Sequence, residues 1–176
     1  MKLAIGSDHA GLPLKTALKP YLDSRLIPYE DFGTDTADSV DYPRIAEKVC
    51  KAILSGQFDR GILICGTGIG MSITANKFPG IRAAAVSEPF SAILAKRHNN
   101  ANVLCMGARV VGTGLATLIT EGWLNASFEG DRHQRRLDII SRIEQRNQTS
   151  APLTTHAPEV VEKTEEDTRK LPTDGE

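Results

Sequence analysis

The sequence predicts one three-layer α/β domain built on a five-stranded parallel sheet. Two observations predict it. Short apolar, β-like runs alternate with longer amphipathic stretches from Leu3 to Leu124, a rhythm that implies βαβ units joined by right-handed crossovers. The run Gly61-Ile-Leu-Ile-Cys65 is apolar throughout, as a strand covered by helices on both faces must be. Five strands fit the flavodoxin-like (Rossmann-like) order 2-1-3-4-5, which is preferred here to a six-stranded dinucleotide-binding arrangement.

The elements follow in order. Leu3-Ala-Ile-Gly6 reads as the first strand, followed by a helical pattern from Leu12 to Ser24. Leu26 to Phe32 fits a second strand that stops at Gly33. Pro43 suits the first turn of a helix running to about Ser55-Gly56. After the third strand comes a glycine loop and a third helix. Arg82 to Val86 is a fourth strand, with Pro89 opening a helix to about Arg97. Asn102 to Met106 is the fifth strand, followed by a helix from about Gly112 to Leu124. Leu137, Ile139, Ile140 and Ile143 among charges suggest one extra C-terminal helix, roughly Arg132 to Arg146.

Composition sets the limits. The 176 residues are 40% apolar and 24% charged with 15 glycines, which suits one core in a soluble domain. A net charge of −1 gives no support to nucleic-acid binding, so any anion site must be local. No apolar run approaches the ~20 residues that cross a bilayer, and the start resembles no secretory signal. Three cysteines without a CxxC spacing argue against a disulfide frame or zinc site. A reduced, cytoplasmic protein is expected. Residues 148–176 carry seven acids and three bases, three prolines and no aromatic residue, and are expected to form a disordered or loosely docked tail. The folded domain is therefore expected to span 1–147.

Ligands of such sheets bind beyond the carboxyl ends of the strands, between strands 1 and 3, where the chain direction switches. That geometry brings Ser7-Asp8-His9 beside Cys65-Gly-Thr-Gly-Ile-Gly70. Glycines at alternate positions let backbone amides approach a bound oxygen, and the following helix terminus adds partial positive charge. A thiol there has its thiolate form favoured, as a nucleophile or as a proton-abstracting base. Cys50 and Cys105, mid-helix and mid-strand, read as core.

Familiar glycine loops do not match. A Walker loop needs Lys-Ser or Lys-Thr after its last glycine, where Met71-Ser72 stands. A dinucleotide fingerprint would follow the first strand. A cysteine phosphatase would need an arginine at Met71. Asp8-His9 suits a proton shuttle, hydroxyl anchor or phosphate donor, with a helix cap as the structural alternative for Asp8. His98-Asn99 ends the fourth helix, either as a cap or as part of a site. Arg132 and Arg136, four apart on one helical face, form a phosphate clamp or two surface charges, and Arg109 follows strand 5. No metal-ligand cluster is visible, and no cofactor is expected.

Together these motifs resemble the ribose-5-phosphate isomerase type B family, which includes the galactose-6-phosphate isomerase subunits. The matching segments are Gly6-Ser-Asp-His-Ala-Gly11, Asp41-Tyr-Pro43, Gly61 to Gly70, Ala75-Asn-Lys77, Ser87-Glu88, Arg97 to Val103, Gly107 to Val111 and Arg132-His-Gln-Arg-Arg136. They cover nearly all of residues 1–147 in the family's order; the tail has no counterpart. The resemblance implies exchange of ribose 5-phosphate and ribulose 5-phosphate through a cis-enediolate, with Cys65 moving the proton between C2 and C1. It implies that Gly66, Thr67, Gly68, Ile69 and Gly70 stabilise the oxyanion and that His98 opens the furanose with help from Asp8. His9, Arg109, Arg132 and Arg136 would hold the phosphate, and Tyr42 and Asn99 the sugar. A second subtype uses a glutamate at the loop's end. Met71 stands there, so this chain resembles the thiol subtype. A six-carbon sugar phosphate such as allose or galactose 6-phosphate is the alternative substrate, and a non-catalytic sugar-phosphate binder the alternative class.

His98 ends a helix antiparallel to the strands, so it is expected near their amino ends, away from the crevice. It and Asn99 are therefore expected to reach the site from a second subunit, in a homodimer or a dimer of dimers.

Overall fold

The computed structural model describes residues 1–149. Five parallel strands alternate with helices: β1 (Leu3–Ser7), α1 (Leu12–Ser24), β2 (Tyr29–Asp31), α2 (Tyr42–Leu54), β3 (Arg60–Cys65), α3 (Ile69–Ala75), β4 (Ala83–Ala85), α4 (Pro89–Asn99), β5 (Val103–Gly107) and α5 (Thr113–Asn125), followed by α6 (Asp131–Thr149). The α/β class and the extra C-terminal helix are as expected. The first two residues of the acidic segment continue α6; the rest of that segment lies outside the described residues.

One expectation is corrected. The strands run β2-β1-β3-β5-β4, not 2-1-3-4-5. The cause is legible in the strands themselves. The β5 sequence Val-Leu-Cys-Met-Gly is buried at every position, which only an interior strand can be. The three alanines of β4 are half-buried or exposed, and a short strand of small side chains belongs at an edge. The exchange matters for the site, because it pairs Cys65 with Gly107 and brings the loop after β5 directly beside the loop after β3.

Right-handed crossovers then sort the helices onto two faces. Leu14, Leu18 and Leu22 of α1, Ala92 of α4, and Ala116, Ile119 and Trp123 of α5 pack on one side against Leu3, Ile5, Ile62, Ile64, Leu104 and Met106. Ile45, Val49, Cys50 and Ile53 of α2, with Met71 and Ala75 of α3, cover Ala4, Leu63, Cys65, Val103 and Cys105 on the other. Because α1 and α3 leave β1 and β3 toward opposite faces, a crevice opens between those two strand ends. Among the described residues no helix is long and apolar enough to cross a membrane.

The β1 end is held by a buried cation. Lys15 is fully buried, bonds the Asp31 carboxylate at 2.9 Å and donates to the Thr34 carbonyl at 2.5 Å. The Thr34 amide in turn donates to the Ser7 carbonyl at 3.1 Å. Burial alone raises a carboxyl, but hydrogen bonds from Lys19 and Lys15 and the Gly33 amide outweigh it and hold Asp31 below the usual range.

Candidate active site

The crevice at the switch point has a volume of about 460 Å³ and is lined by Asp8, His9, Tyr42, Cys65, Gly66, Thr67, Ile69, Gly70 and Arg109, with Ala10 and Ile73. These residues come from the ends of β1, β3 and β5, from the start of α2 and from α3. Gly68 belongs to the same loop.

The Cys65 loop is shaped by a few contacts. Gly68 is left-handed (φ +79°), and a Cβ on it would lie 2.9 Å from the Met106 carbonyl carbon. That turn aims the Gly68 amide at the Cys65 sulfur, 3.1 Å away. Gly107 permits the β5 backbone to pass under Thr67, where a Cβ would meet backbone at 2.6 Å. Two bonds fasten the loops to each other, from the Ala108 amide to the Cys65 carbonyl at 2.8 Å and from the Arg109 amide to the Gly66 carbonyl at 3.0 Å. The Thr67 and Gly70 amides have no hydrogen-bond partner among the described residues, so two donors stand free beside the sulfur. Cys65 is buried at 5% exposure yet lines the crevice.

Opposite stand Asp8 and His9. Asp8 is buried and accepts from the Gly11 amide at 2.8 Å, so it does cap the turn into α1 while lining the crevice. The His9 Nδ1 accepts from the Val40 amide at 3.3 Å. A ring nitrogen that accepts carries no proton, so the neutral ring keeps its hydrogen on Nε2 as a donor. Tyr42 sits against Gly70, where a Cβ would meet its ring at 2.7 Å. Arg109 is exposed and runs past Gly66, its Cδ 3.7 Å from the position of a Cβ there. The side chains thus combine a thiol, three hydrogen-bonding groups (Asp8, His9 and Tyr42) and a guanidinium around free loop amides. That set can remove a carbon-bound proton, stabilise the oxyanion that forms, and hold an anionic group.

His98, Asn99, Arg132 and Arg136 do not line this crevice. They gather elsewhere, at the carboxyl end of α4 and the start of α6. The His98 ring stacks on His133 with centroids 4.2 Å apart and planes 6° from parallel. Glu129 Oε2 lies 3.5 Å from His98 Nε2 and 3.6 Å from His133 Nε2. Arg97 Nε donates to Glu129 Oε1 at 2.6 Å and holds the Glu129 carboxyl below the usual range. His133 is lowered by burial and by the neighbouring His98, Arg132 and Arg136.

His133 and Glu129 escaped the sequence reading. The i, i+4 spacing of Glu129 and His133 was the only signal, and their convergence with His98 needed the fold. The same convergence corrects the expectation that no ligand cluster exists: His98, Glu129 and His133 bring three metal-ligating atoms within 4.8 Å of one another. Their surroundings oppose a cation. Arg97 engages Glu129, and Arg132 Nε donates to His133 Nε2 at 3.4 Å.

Comparison with known proteins shows the family. Residues 3–140 match the family described as Ribose/Galactose Isomerase. Ribose-5-phosphate isomerase B of Escherichia coli (strain K12) is 50% identical over 145 residues, which are 82% of this chain and 97% of the relative. The solved ribose-5-phosphate isomerase B of Clostridium thermocellum superimposes with a TM-score of 0.82 at 49% identity, covering 84% of this chain and 99% of that one. The Mycoplasma genitalium enzyme, solved with ribulose 5-phosphate bound, is 42% identical with a TM-score of 0.77, covering 82% of this chain and 96% of its own.

Proposed function

The chain belongs to the ribose/galactose isomerase family, and from that premise we propose that its crevice interconverts ribose 5-phosphate and ribulose 5-phosphate. The observation that carries this reading is the Cys65 sulfur set among free loop amides, facing Asp8 and His9 across the switch point.

Open-chain ribose 5-phosphate enters with its C1–C2 end at the loop. The Cys65 thiolate takes the C2 proton, and the electron pair moves to the C1 oxygen to form a cis-enediolate. The free Thr67 and Gly70 amides donate to that oxyanion, while the Gly68 amide donates to the sulfur. Such donors are needed because a sugar C2–H is a very weak acid, and one lost oxyanion donor typically costs about 3–4 kcal/mol. A proton passes from the C2 hydroxyl to the C1 oxygen, leaving the charge on the C2 oxygen. The thiol then returns its proton to C1 as the C2 carbonyl forms, which leaves the ketose. Asp8 and Tyr42 hold sugar hydroxyls, and His9 and Arg109 hold the phosphate. Binding energy from the phosphate orients the reacting carbons.

Ribose 5-phosphate arrives mostly as a furanose, which must open first. His98 supplies that proton transfer, with Asn99, Arg132 and Arg136 completing the sugar and phosphate contacts from a second subunit. Support for a shared site comes from the separation of those four residues from Cys65 within one chain. Further support comes from the exposed apolar side chains beside the site and along the helices, among them Ile69, Ile73, Phe90, Leu118 and Ile140, since such surface marks an interface. Three free, buried cysteines suit a reducing compartment, so we place the enzyme in the cytoplasm, in the pentose phosphate pathway.

The test is direct. Purified protein mixed with ribose 5-phosphate in deuterated water is expected to yield ribulose 5-phosphate with deuterium at carbon. No ketose and no exchange would defeat the proposal.

A further inference from the structure

We propose that Glu129 and His133 are positioning residues for furanose opening, holding His98 by a carboxylate at its Nε2 and a flat ring against its face. The inference rests on the assignment of ring opening to His98 made above, and it adds two residues to which no role has been given.

The geometry begins with a turn. Gly130 at φ +70° and Asp131 at φ +44° reverse the chain just before α6, so Glu129 and His133 come together on one side of it. The Glu129 amide donates to the Arg97 carbonyl at 3.0 Å, which ties the turn to the end of α4. Arg97 then grips Glu129 Oε1 through both Nε and Nη2. Oε2 is left to face the two imidazoles. A carboxylate immobilised at one oxygen presents the other to His98 Nε2, 3.5 Å away, while the His133 ring is held by Arg132.

His133 differs from His98 in its surroundings. Its side chain is 7% exposed, whereas the His98 side chain is 32% exposed. The charged groups facing His133 are Arg132 and Arg136 from α6, His98 from α4, and Glu129. Arg132 Nε donates to its Nε2, which requires that nitrogen to be unprotonated. His133 is therefore a neutral, anchored ring. His98, the more open of the two rings, is the one a substrate can reach. A proton-transfer group works best when its orientation and charge are set before substrate arrives, and here a buried ring and a clamped carboxylate set both.

Ring opening can be separated from the chemistry at Cys65. Ribulose 5-phosphate cannot form a furanose, because its C5 oxygen is phosphorylated. Exchange of its C1 hydrogen with deuterated water therefore uses Cys65 and the loop amides but no ring opening. Conversion of ribose 5-phosphate needs both steps. The experiment compares these two rates for the full chain, for Glu129→Gln, for His133→Gln, for Glu129→Asp and for a His98→Asn reference.

In Glu129→Gln and His133→Gln, turnover of ribose 5-phosphate is expected to fall through kcat by at least about tenfold, within the ~10²–10⁴ that a positioned acid–base group supplies. C1 exchange is expected to stay within about twofold of the unmodified protein. Glu129→Asp, which keeps the carboxylate, is expected to recover part of the conversion. If His133→Gln does not fold, Glu129→Gln decides alone, because Glu129 lies at the surface. Parallel loss of both rates would overturn the proposal, since a merely structural role lowers them together. Both rates unchanged would overturn it equally. Failure of the underlying reading looks different: the unmodified protein would show neither reaction, or His98→Asn would show no split between the two rates.

Discussion

The Gly68 amide and the Cys65 sulfur are joined by a 3.1 Å hydrogen bond that exists because Gly68 is left-handed. A side chain there is strained by about 1–2 kcal/mol and meets the Met106 backbone at 2.9 Å. Gly68→Ala is therefore expected to shift the loop and misplace the donors around the base. The expected loss is on the order of 10²–10³ in kcat, that of one missing oxyanion donor, with a native circular-dichroism spectrum. Unchanged kcat in a folded Gly68→Ala protein would remove this bond from the mechanism.

Three cysteines lie buried on the α2–α3 side of the sheet, and only Cys65 lines the crevice. Burial pushes the Cys50 thiol up to about 12 and Cys105 well above its ordinary range, and both have no exposed surface. Iodoacetamide at neutral pH is expected to add once to the native protein, at Cys65, with activity falling in step and ribose 5-phosphate protecting. Peptide mass spectrometry that finds the adduct on Cys50 or Cys105 first would contradict the assignment.

How far the sequence carried the reading depends on how local each signal was. The β3 run and the glycine loop announce themselves, because a doubly covered strand must be apolar and a loop that packs against β5 at Gly68 must be glycine. The interior place of β5 was less visible. It depends on comparing β5 with the short alanine strand β4, and adjacency in sequence misled the ordering. The pairing of Glu129 and His133 with His98 was not legible at all. It arises from one turn at Gly130-Asp131 and from α6 lying against α4, and no spacing rule encodes that contact.

The separation of Cys65 from His98 within one chain predicts complementation between two dead variants. Cys65→Ala and His98→Asn are each expected to be inactive on ribose 5-phosphate. Mixed after unfolding and refolding together, they are expected to form hybrid dimers in which one of two shared sites carries both native residues. Random assortment is expected to restore about a quarter of wild-type activity. No recovery in a mixture whose hybrids are detected by native mass spectrometry would mean that each site is built from one chain.

Metal removal is expected to change nothing. Arg97 and Arg132 already engage Glu129 and His133, and two guanidiniums beside a three-ligand group oppose a divalent ion. Dialysis against a strong chelator should leave turnover at its starting value. A loss restored by added zinc would show that the cluster holds a metal after all.

The Lys15–Asp31 pair that holds the β1 end makes stability depend on pH. Asp31 lies below the usual carboxylate range, so the folded state binds a proton there less readily than the unfolded chain. Stability from this group is therefore complete above about pH 4, the ordinary Asp value, and is lost as pH falls through the lower folded value. Asp31→Asn takes the nearer carboxylate from buried Lys15 and leaves it the more distant, exposed Asp35 at 3.6 Å. Breaking a buried pair costs about 3–5 kcal/mol, and partial exposure of Asp31 should reduce this to about 2–3 kcal/mol at pH 7. Urea unfolding across pH is expected to show that gap narrowing as the native protein's Asp31 takes up its proton in acid. A gap independent of pH would mean that packing around the introduced amide, and not the lost charge, accounts for the difference. The same substitution should reach the crevice, because Lys15 holds Thr34 and Thr34 holds Ser7, the residue before Asp8 and His9. A rise in KM for ribose 5-phosphate at unchanged C1 exchange under saturating ribulose 5-phosphate would trace that path.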